Sequence, residues 1–477
     1  MHSKLQKIAV STIGVAALTT VNTSAQSADA IIDKLVDKGI LTVDEANELR
    51  EETDQDFDAT YKVKTGLPDW VTSLKIGGDF RGRYENFSAA DDSYLASPNT
   101  DDTFVDRHRF RYRIRPGIVA TIKDNFEVGF RLTSSEAQGS FGGDPISGNT
   151  TFQDNASKKF VFIDLAYGKW TAFNNADWSL NLAVGKMENP FVFSDMVFDG
   201  DYTPEGLAQQ FSFNLGETHQ VKLNLGQFAL DELSSDSDDP YMFGAQLRLE
   251  SKWNQHIATS LGIGGLVITS DEALRETPAA PIAVVDAGGN QIGTVPGTAS
   301  SQVPNVNSGN TRTSGFLANN FNPYIADAAF TYTLESFPLY SAAFPIRVAA
   351  EYMKNPAAEQ HNEGYSFGVT FGKSGKKGLW DVGYRWKHLE ADAWYEEVVD
   401  SDFGGLRPAT FNSGALSSRA AYASGTNVEG HIFKASYSPY NSITLGVTYI
   451  LAELIANTPE GFEDDISRLQ VDAVWKF

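Results

Sequence analysis

From position 74 to the last residue, apolar and polar side chains alternate with a period of two. In the first such stretch Leu74, Ile76, Gly78, Phe80, Gly82 and Tyr84 share one face, and Lys75, Gly77, Asp79, Arg81, Arg83 and Glu85 share the other. That period marks strands with one wet face and one apolar face. About sixteen segments follow, beginning near positions 74, 105, 125, 158, 177, 208, 219, 241, 256, 322, 346, 363, 378, 427, 441 and 466. Most approach the roughly ten residues that a tilted strand needs to cross a bilayer.

The links between segments sort into two classes. Lys123-Asp124, Thr171 to Ala176, Gly216 to Thr218, Trp253 to Gln255, Ser336 to Pro345, Lys373 to Lys377 and Ser438 to Tyr440 are short. Ser88 to Phe104, Ser134 to Ser157, Glu188 to Leu207, Asp271 to Phe321 and Trp394 to Thr426 are longer. Short and long alternate, as the turns and outer loops of an outer-membrane barrel do. A soluble sandwich has no reason for that parity. An even strand count returns the last strand beside the first, and closure leaves no unpaired edge in lipid. The pattern therefore predicts an all-β fold: a transmembrane antiparallel β-barrel over residues 61–477, preceded by a short helical N-terminal segment.

The start of the chain differs. Lys4 and Lys7, the apolar run from Ile8 to Leu18 and the small residues Thr23-Ser24-Ala25 predict a signal peptide over 1–25, cleaved after Ala25. Ile31, Ile32, Leu35 and Val36 then recur at helical spacing, Gly39 stops the run, and Thr42 to Glu45 fits a capping box. A helix-turn-helix over 26–60 follows, with two readings: an oligomerisation element in the periplasm, or a helix packed under the main domain.

Composition narrows the function classes. The chain has 477 residues, with 38 Lys+Arg against 61 Asp+Glu, a formal charge of −23. That acidity argues against a nucleic-acid partner. With no cysteine, disulfide scaffolds and thiolate chemistry are excluded. The lack of a long apolar run excludes helical spans but not barrel strands. Trp170, Trp178, Trp380, Trp386 and Tyr449 near strand ends fit an interfacial belt or ordinary strand formers.

The densest local signal is Arg107, Arg109, Arg111, Arg113 and Arg115 on alternate positions of one segment, with Phe110, Tyr112, Ile114, Ile118 and Ile122 on the other face. An arginine facing lipid at mid-depth costs roughly 2–4 kcal/mol, so this row must line the lumen. Arg81, Arg83 and Arg131 fall on the same face of the neighbouring segments. Charges 6.6–6.8 Å apart, the spacing of alternate residues, repel by about 0.6 kcal/mol even in water. The row therefore needs counter-charges, for which Asp79, Glu85 and Glu127 are the candidates on the wall. It is either a salt-bridge ladder or a track for anionic and polar solutes.

The link Glu188 to Leu207 combines Asp195, Asp199, Asp201 and Glu205 with Phe191, Phe193 and Phe198. Such apolar residues suit a loop folded against the inner wall. The carboxylates would then face the arginines across a constriction and focus a field there. A divalent-metal site at Asp199, Asp201 and Glu205 is the competing reading, as is plain solvated acidity. At the end of the chain Leu469, Val471, Ala473, Trp475 and Phe477 alternate with Arg468, Gln470 and Asp472. A terminal aromatic on such a strand resembles the signal read by barrel-assembly machinery.

The stretches LVDKGILTVDEANEL, LKIGGDFRGRYE, RHRFRYRIRPG, VGKMENPF, FDGDYTPEGLA and LQVDAVWKF, in this order, resemble the putative porin family of proteobacterial outer membranes. Phosphate-selective porins are similar more weakly, and the acidic loop departs from them. The resemblance implies a barrel of about sixteen strands in a Gram-negative outer membrane, in contact with lipid and lipopolysaccharide. It further implies a homotrimer, an infolded third loop and passive diffusion of small polar or anionic solutes, with no cofactor. A barrel enzyme and a surface adhesin are the alternatives. The seven histidines lie in no G-x-S-x-G or H-E-x-x-H setting. An adhesin would use the Asp271 to Phe321 link.

Overall fold

Strict alternation leaves each segment no better solution than to pair on both sides and close. A computed structural model describes residues 66–89, 106–136, 143–232, 238–270, 308–313, 316–407, 421–456 and 464–477, with short pieces between 274 and 301. Leu74–Phe477 forms one compact unit. The expected signal peptide (1–25) and helix-turn-helix (26–60) lie outside the described residues.

Sixteen strands form the barrel: β1 (Val71–Ala89), β2 (Arg107–Ile122), β3 (Phe126–Ser135), β4 (Phe160–Asn174), β5 (Trp178–Lys186), β6 (Glu205–Leu215), β7 (His219–Ala229), β8 (Tyr241–Lys252), β9 (Ile257–Thr269), β10 (Tyr324–Leu334), β11 (Phe344–Lys354), β12 (Glu363–Gly372), β13 (Trp380–Leu389), β14 (Val428–Tyr440), β15 (Ile443–Leu454) and β16 (Ile466–Lys476). No predicted start differs from these by more than three residues, the widest being 74 against Val71 and 208 against Glu205. Each strand pairs antiparallel with its sequence neighbour. The sheet closes where β1 meets β16, with Gly82 opposite Ala473 and Glu85 opposite Gln470. Phe477 extends the seam: its amide donates to the Gly78 carbonyl at 3.1 Å, and the Gly78 amide to the Phe477 carbonyl at 2.8 Å. Closure satisfies the backbone groups that lipid cannot. Among the described residues no helix is long and apolar enough to cross a membrane.

The two faces separate as the parity predicts. On β2, Phe110, Ile114 and Ile118 are exposed outward, while Arg111 and Arg113 are buried inside. On β16, Val471 and Trp475 face out, and Arg468 and Gln470 are buried inside. Rings gather at both outer rims. Trp170 stacks on Phe126, and Trp178 packs at a tilt on Phe213, at the turn end. Tyr84 and Phe110, and Tyr365 and Trp386, meet toward the loop end. Trp380 instead joins Tyr340 and Phe344 at the turn before β11, and its Nε1 donates to the Leu339 carbonyl at 2.8 Å. The main apolar core is not between sheets. It lies inside the barrel, where residues of the 187–204 loop pack on the strands.

Candidate functional site

The inner face begins with the arginine row. Arg113 and Arg115 share Asp79 and Asp201: Arg115 donates to both at 2.9 Å, and Arg113 to Asp79 at 3.1 Å. Arg83 grips Asp472 through two bonds, at 2.7 and 2.8 Å, and reaches Asp402 at 2.8 Å. Glu85, fully buried, is shared by Arg109, Arg111 and Arg468. Arg81 donates to Asn149 Oδ1 at 2.8 Å, and Arg111 to the Asn149 carbonyl at 3.2 Å. Arg131 pairs with Asp164 and Glu188. Arg107 sits exposed at the loop end of β2. Of the three wall carboxylates expected to serve this row, Asp79 and Glu85 do so, but Glu127 pairs with Lys169 at 2.8 Å. Lys169 lies directly opposite Glu127 in the β3–β4 register, which brings it closer than any arginine of the row.

The row is also covered. Residues 143–151 lie over it, with Thr150 and Thr151 pairing with Tyr112 and Arg111. Asp201 comes from the 187–204 loop, and Asp402 from the long link between β13 and β14. Arg83, Arg111 and Arg113 are left no more than 8% exposed.

The 187–204 loop is held by apolar packing. Phe191, Met196, Val197 and Phe198 are buried among Phe228, Met242, Leu266, Ile325 and Met353, all inward positions of β7 to β11. Glycine makes the slot. Gly226 and Gly244 lie opposite each other on β7 and β8. A Cβ on Gly244 would sit 2.4 Å from the Phe191 ring, and one on Gly264 2.7 Å from Phe193. An unbranched inner wall thus lets two rings lie against backbone.

The four loop carboxylates go to different places. Asp201 meets the arginine row. Asp195 instead pairs with Arg385 and Lys387 of β13, the latter at 3.1 Å. Glu205 opens β6 and pairs with Lys186 at 3.1 Å. Among the described residues Asp199 pairs with no cation: its carboxylate accepts from the Ser401 amide and the Asp201 amide, each at 2.7 Å. Burial, then the charges of Asp400 and Asp201, push Asp199 up to about 7. Against burial, Lys387 and Arg385 hold Asp195 well below the usual carboxylate range. Arg113 and Arg115 likewise lower Asp201. The carboxylates of Asp199, Asp201 and Glu205 therefore have separate partners and do not form the cation-binding triplet weighed from sequence. Among the described residues no cluster of His, Asp and Glu could hold a metal.

The sequence places residues 394–407 within the long Trp394 to Thr426 link, and 390–393 connect it to the end of β13. Residues 390–407 fold inward and dock on the 187–204 loop. The Asp199 amide donates to the Val398 carbonyl at 2.8 Å, and the Trp394 Nε1 to the Val197 carbonyl at 2.9 Å. Lys387, 1% exposed, bridges Asp195 and Asp400 and lies 4.1 Å over the Phe403 ring. Arg468 joins Glu85 at 2.7 Å to Asp402 at 2.8 Å, stacked between Phe87 and Tyr422. The alternation of Arg385 with Lys387, and of Arg468 with Asp472, was the available signal for these partners. Several of the histidines have local partners. His219 meets Ser251 at 2.8 Å, His388 meets Glu429 at 2.7 Å and His108 meets Tyr84 at 2.8 Å.

Below the loops the lumen opens into a cavity of about 410 Å³ against the inner faces of β8 and β10 to β14. Arg248, Asp327, Arg347, Glu351, Arg385 and Lys434 line it.

No curated protein matches the chain. Among solved structures it is similar to OprB of Pseudomonas putida, at 12% identity over 88% of this chain and 96% of that one, with a TM-score of 0.47. It is similar to OmpF of Salmonella typhi at 10% identity, over 85% of this chain and 97% of that one, with a TM-score of 0.44. It is similar to the outer membrane channel DcaP of Acinetobacter baumannii at 12% identity, over 85% and 97%, with a TM-score of 0.41. Residues 87–296 match the family model described as putative porin. That match falls within the closed sixteen-strand antiparallel barrel and makes this stretch of the chain similar to putative porins.

Proposed function

We propose that this porin passes small hydrophilic solutes and ions by diffusion through a lumen narrowed by two infolded loops. The observation that carries this is the meeting of the 187–204 and 390–407 loops inside the barrel, tied to separate stretches of its wall by Asp201, Asp402 and Asp195. The arginine row acts there as an anchor, and the field between its guanidinium groups and the loop carboxylates crosses the constriction. Water-filled passage needs no cofactor. We further propose a homotrimer, contact with lipid and lipopolysaccharide at the aromatic rims, and recognition of Phe477 by the assembly machinery. Planar-bilayer recording of the refolded, pure protein tests the channel: discrete ion-conducting steps are expected, and their absence would sink the reading. Hydrolysis assays on ester and peptide substrates would expose an enzyme.

A further inference from the structure

Two cations of the lumen lack what every buried arginine of the row has. Arg347 on β11 and Lys434 on β14 are exposed to the cavity. Among the described residues neither forms a hydrogen bond or ion pair, although Lys434 lies near enough to Asp195 to act on its charge. They stand at one level of the wall. Arg347 is opposite Thr370, Thr370 opposite Gly383, and Gly383 opposite Lys434. Three strand spacings separate them, about 14 Å of wall. Long side chains on a concave wall lean toward each other across that span. The floor between them is bare, because Gly368 and Gly383 both present their missing side chains inward beside Thr370. Arg385 borders the floor, its guanidinium already given to Asp195. The cavity's carboxylates are also engaged: Asp327 by Arg248 at 2.8 Å, Glu351 by Ser194, and Asp381 by the Ser374 amide at 2.9 Å. Arg347 and Lys434 are therefore the charged groups of this cavity that no hydrogen bond or ion pair holds among the described residues, and so the ones free to turn to a solute.

We propose that this glycine-floored niche is a binding subsite for the oxyanion group of a small organic solute, with Arg347 and Lys434 as its charged contacts and Thr370 as a hydroxyl donor. Arg347 supplies a planar fork suited to a carboxylate or phosphate, and Lys434 a point charge. A cavity of about 410 Å³ falls in the size range of small-molecule sites. The subsite rests on the channel reading and deepens it, since it places solute selection on a different stretch of wall from the dense arginine row.

The test is block of potassium chloride current through single channels by gluconate, with glucose as the uncharged solute of nearly the same size. Gluconate should interrupt the current at concentrations where glucose does not. The double variant Arg347→Gln with Lys434→Gln should weaken that block about tenfold, one charge-assisted contact's worth, and should move the reversal potential in a salt gradient away from anion preference. Arg347→Lys, which keeps the charge and the fold, should lose less of the block. Block unchanged in the two single glutamine variants, or equal block by gluconate and glucose in the unmodified protein, would overturn the subsite while leaving the channel intact. Loss of all conductance in the unmodified protein would instead overturn the channel reading itself.

Discussion

The wall of β1, β2 and β16 and the wall of β11 to β14 enclose one lumen but treat charge in opposite ways. The first wall carries Arg81, Arg83, Arg109, Arg111, Arg113, Arg115 and Arg468, and nearly all its guanidinium groups are given to Asp79, Glu85, Asp201, Asp402 or Asp472. The second wall pairs its upper cations, Arg385 and Lys387, but leaves Arg347 and Lys434 to the water. Charge density in the sequence therefore marks where loops are anchored. What a solute meets is the charge left uncompensated, and there is less of it where arginines are most crowded.

The largest expected effect lies on the sealed wall. Arg468→Ala would take from Glu85, fully buried, and from the Asp402 end of the 390–407 loop one of the two cations they share, leaving Arg83. Breaking a buried network by removing one partner costs about 3–5 kcal/mol. Urea titration of the refolded protein, followed by tryptophan fluorescence, should show that loss. Single-channel conductance should rise as the loop lets go. A stable variant of unchanged conductance would mean that the wall does not hold the loop.

Next comes the slot that seats the 187–204 loop. Gly244→Ala puts a Cβ 2.4 Å from the Phe191 ring, so the ring and its loop must shift. Overpacking of this kind costs about 1–3 kcal/mol. The conductance should change together with the stability, because the displaced loop narrows the path. Ala at Gly82, which faces outward with nothing within 4 Å, is the matched control and should change neither.

The strands were legible because a membrane allows few solutions. Residues facing lipid must be apolar and the count must be even, so Phe110 and Arg111 declare their faces without any tertiary information. The docking of the 187–204 loop was also partly legible, since Phe191, Phe193 and Phe198 have no use in water. Its partners were not. Asp195 could as well have met the arginine row, and only the path of the loop sends it to Arg385. The inward fold of 390–407 was hidden because Trp394, Tyr395, Val398, Val399 and Phe403 are interspersed with acidic residues and follow no single period. Gly226, Gly244 and Gly264 read in sequence as weak strand positions, and their role appears only when three strands are placed side by side. The niche at Arg347 and Lys434 was illegible for a related reason. Its residues are far apart in sequence and are joined only by register.

A smaller effect, but one with a definite sign, concerns the contact between the two loops. Asp199 is buried beside Asp400 and Asp201 and is pushed up to about 7. For a carboxyl raised in the docked state, the stabilising contribution is fully present below its ordinary value. It is lost as pH rises through the raised one. The neighbours held low, Asp195 by Lys387 and Asp201 by Arg113, act the other way and lose their contribution only in acid. Loop contact should thus loosen as pH rises toward and past 7, seen as more frequent current fluctuations at pH 8 than at pH 6. Asp199→Asn removes the titrating group but keeps an acceptor for the Ser401 amide. Its fluctuations should not change across that range, and a variant that still responds would assign the effect elsewhere.

The smallest effect sharpens the comparison most. Arg347→Gln removes a charge that faces water and has no partner among the described residues, so stability should stay within about 0.5 kcal/mol of the unmodified protein. The same change at Arg113 strips Asp79 and Asp201 of one cation each and should cost several times more. Equal costs at the two positions, measured by the same urea titration, would mean that Arg347 is held by its surroundings and is not free to meet a solute. A small cost at Arg347 alone separates the two walls physically. On the sealed wall a charge cannot be exchanged without loosening a loop. On the open wall it can, so selectivity can change there while the architecture stays fixed.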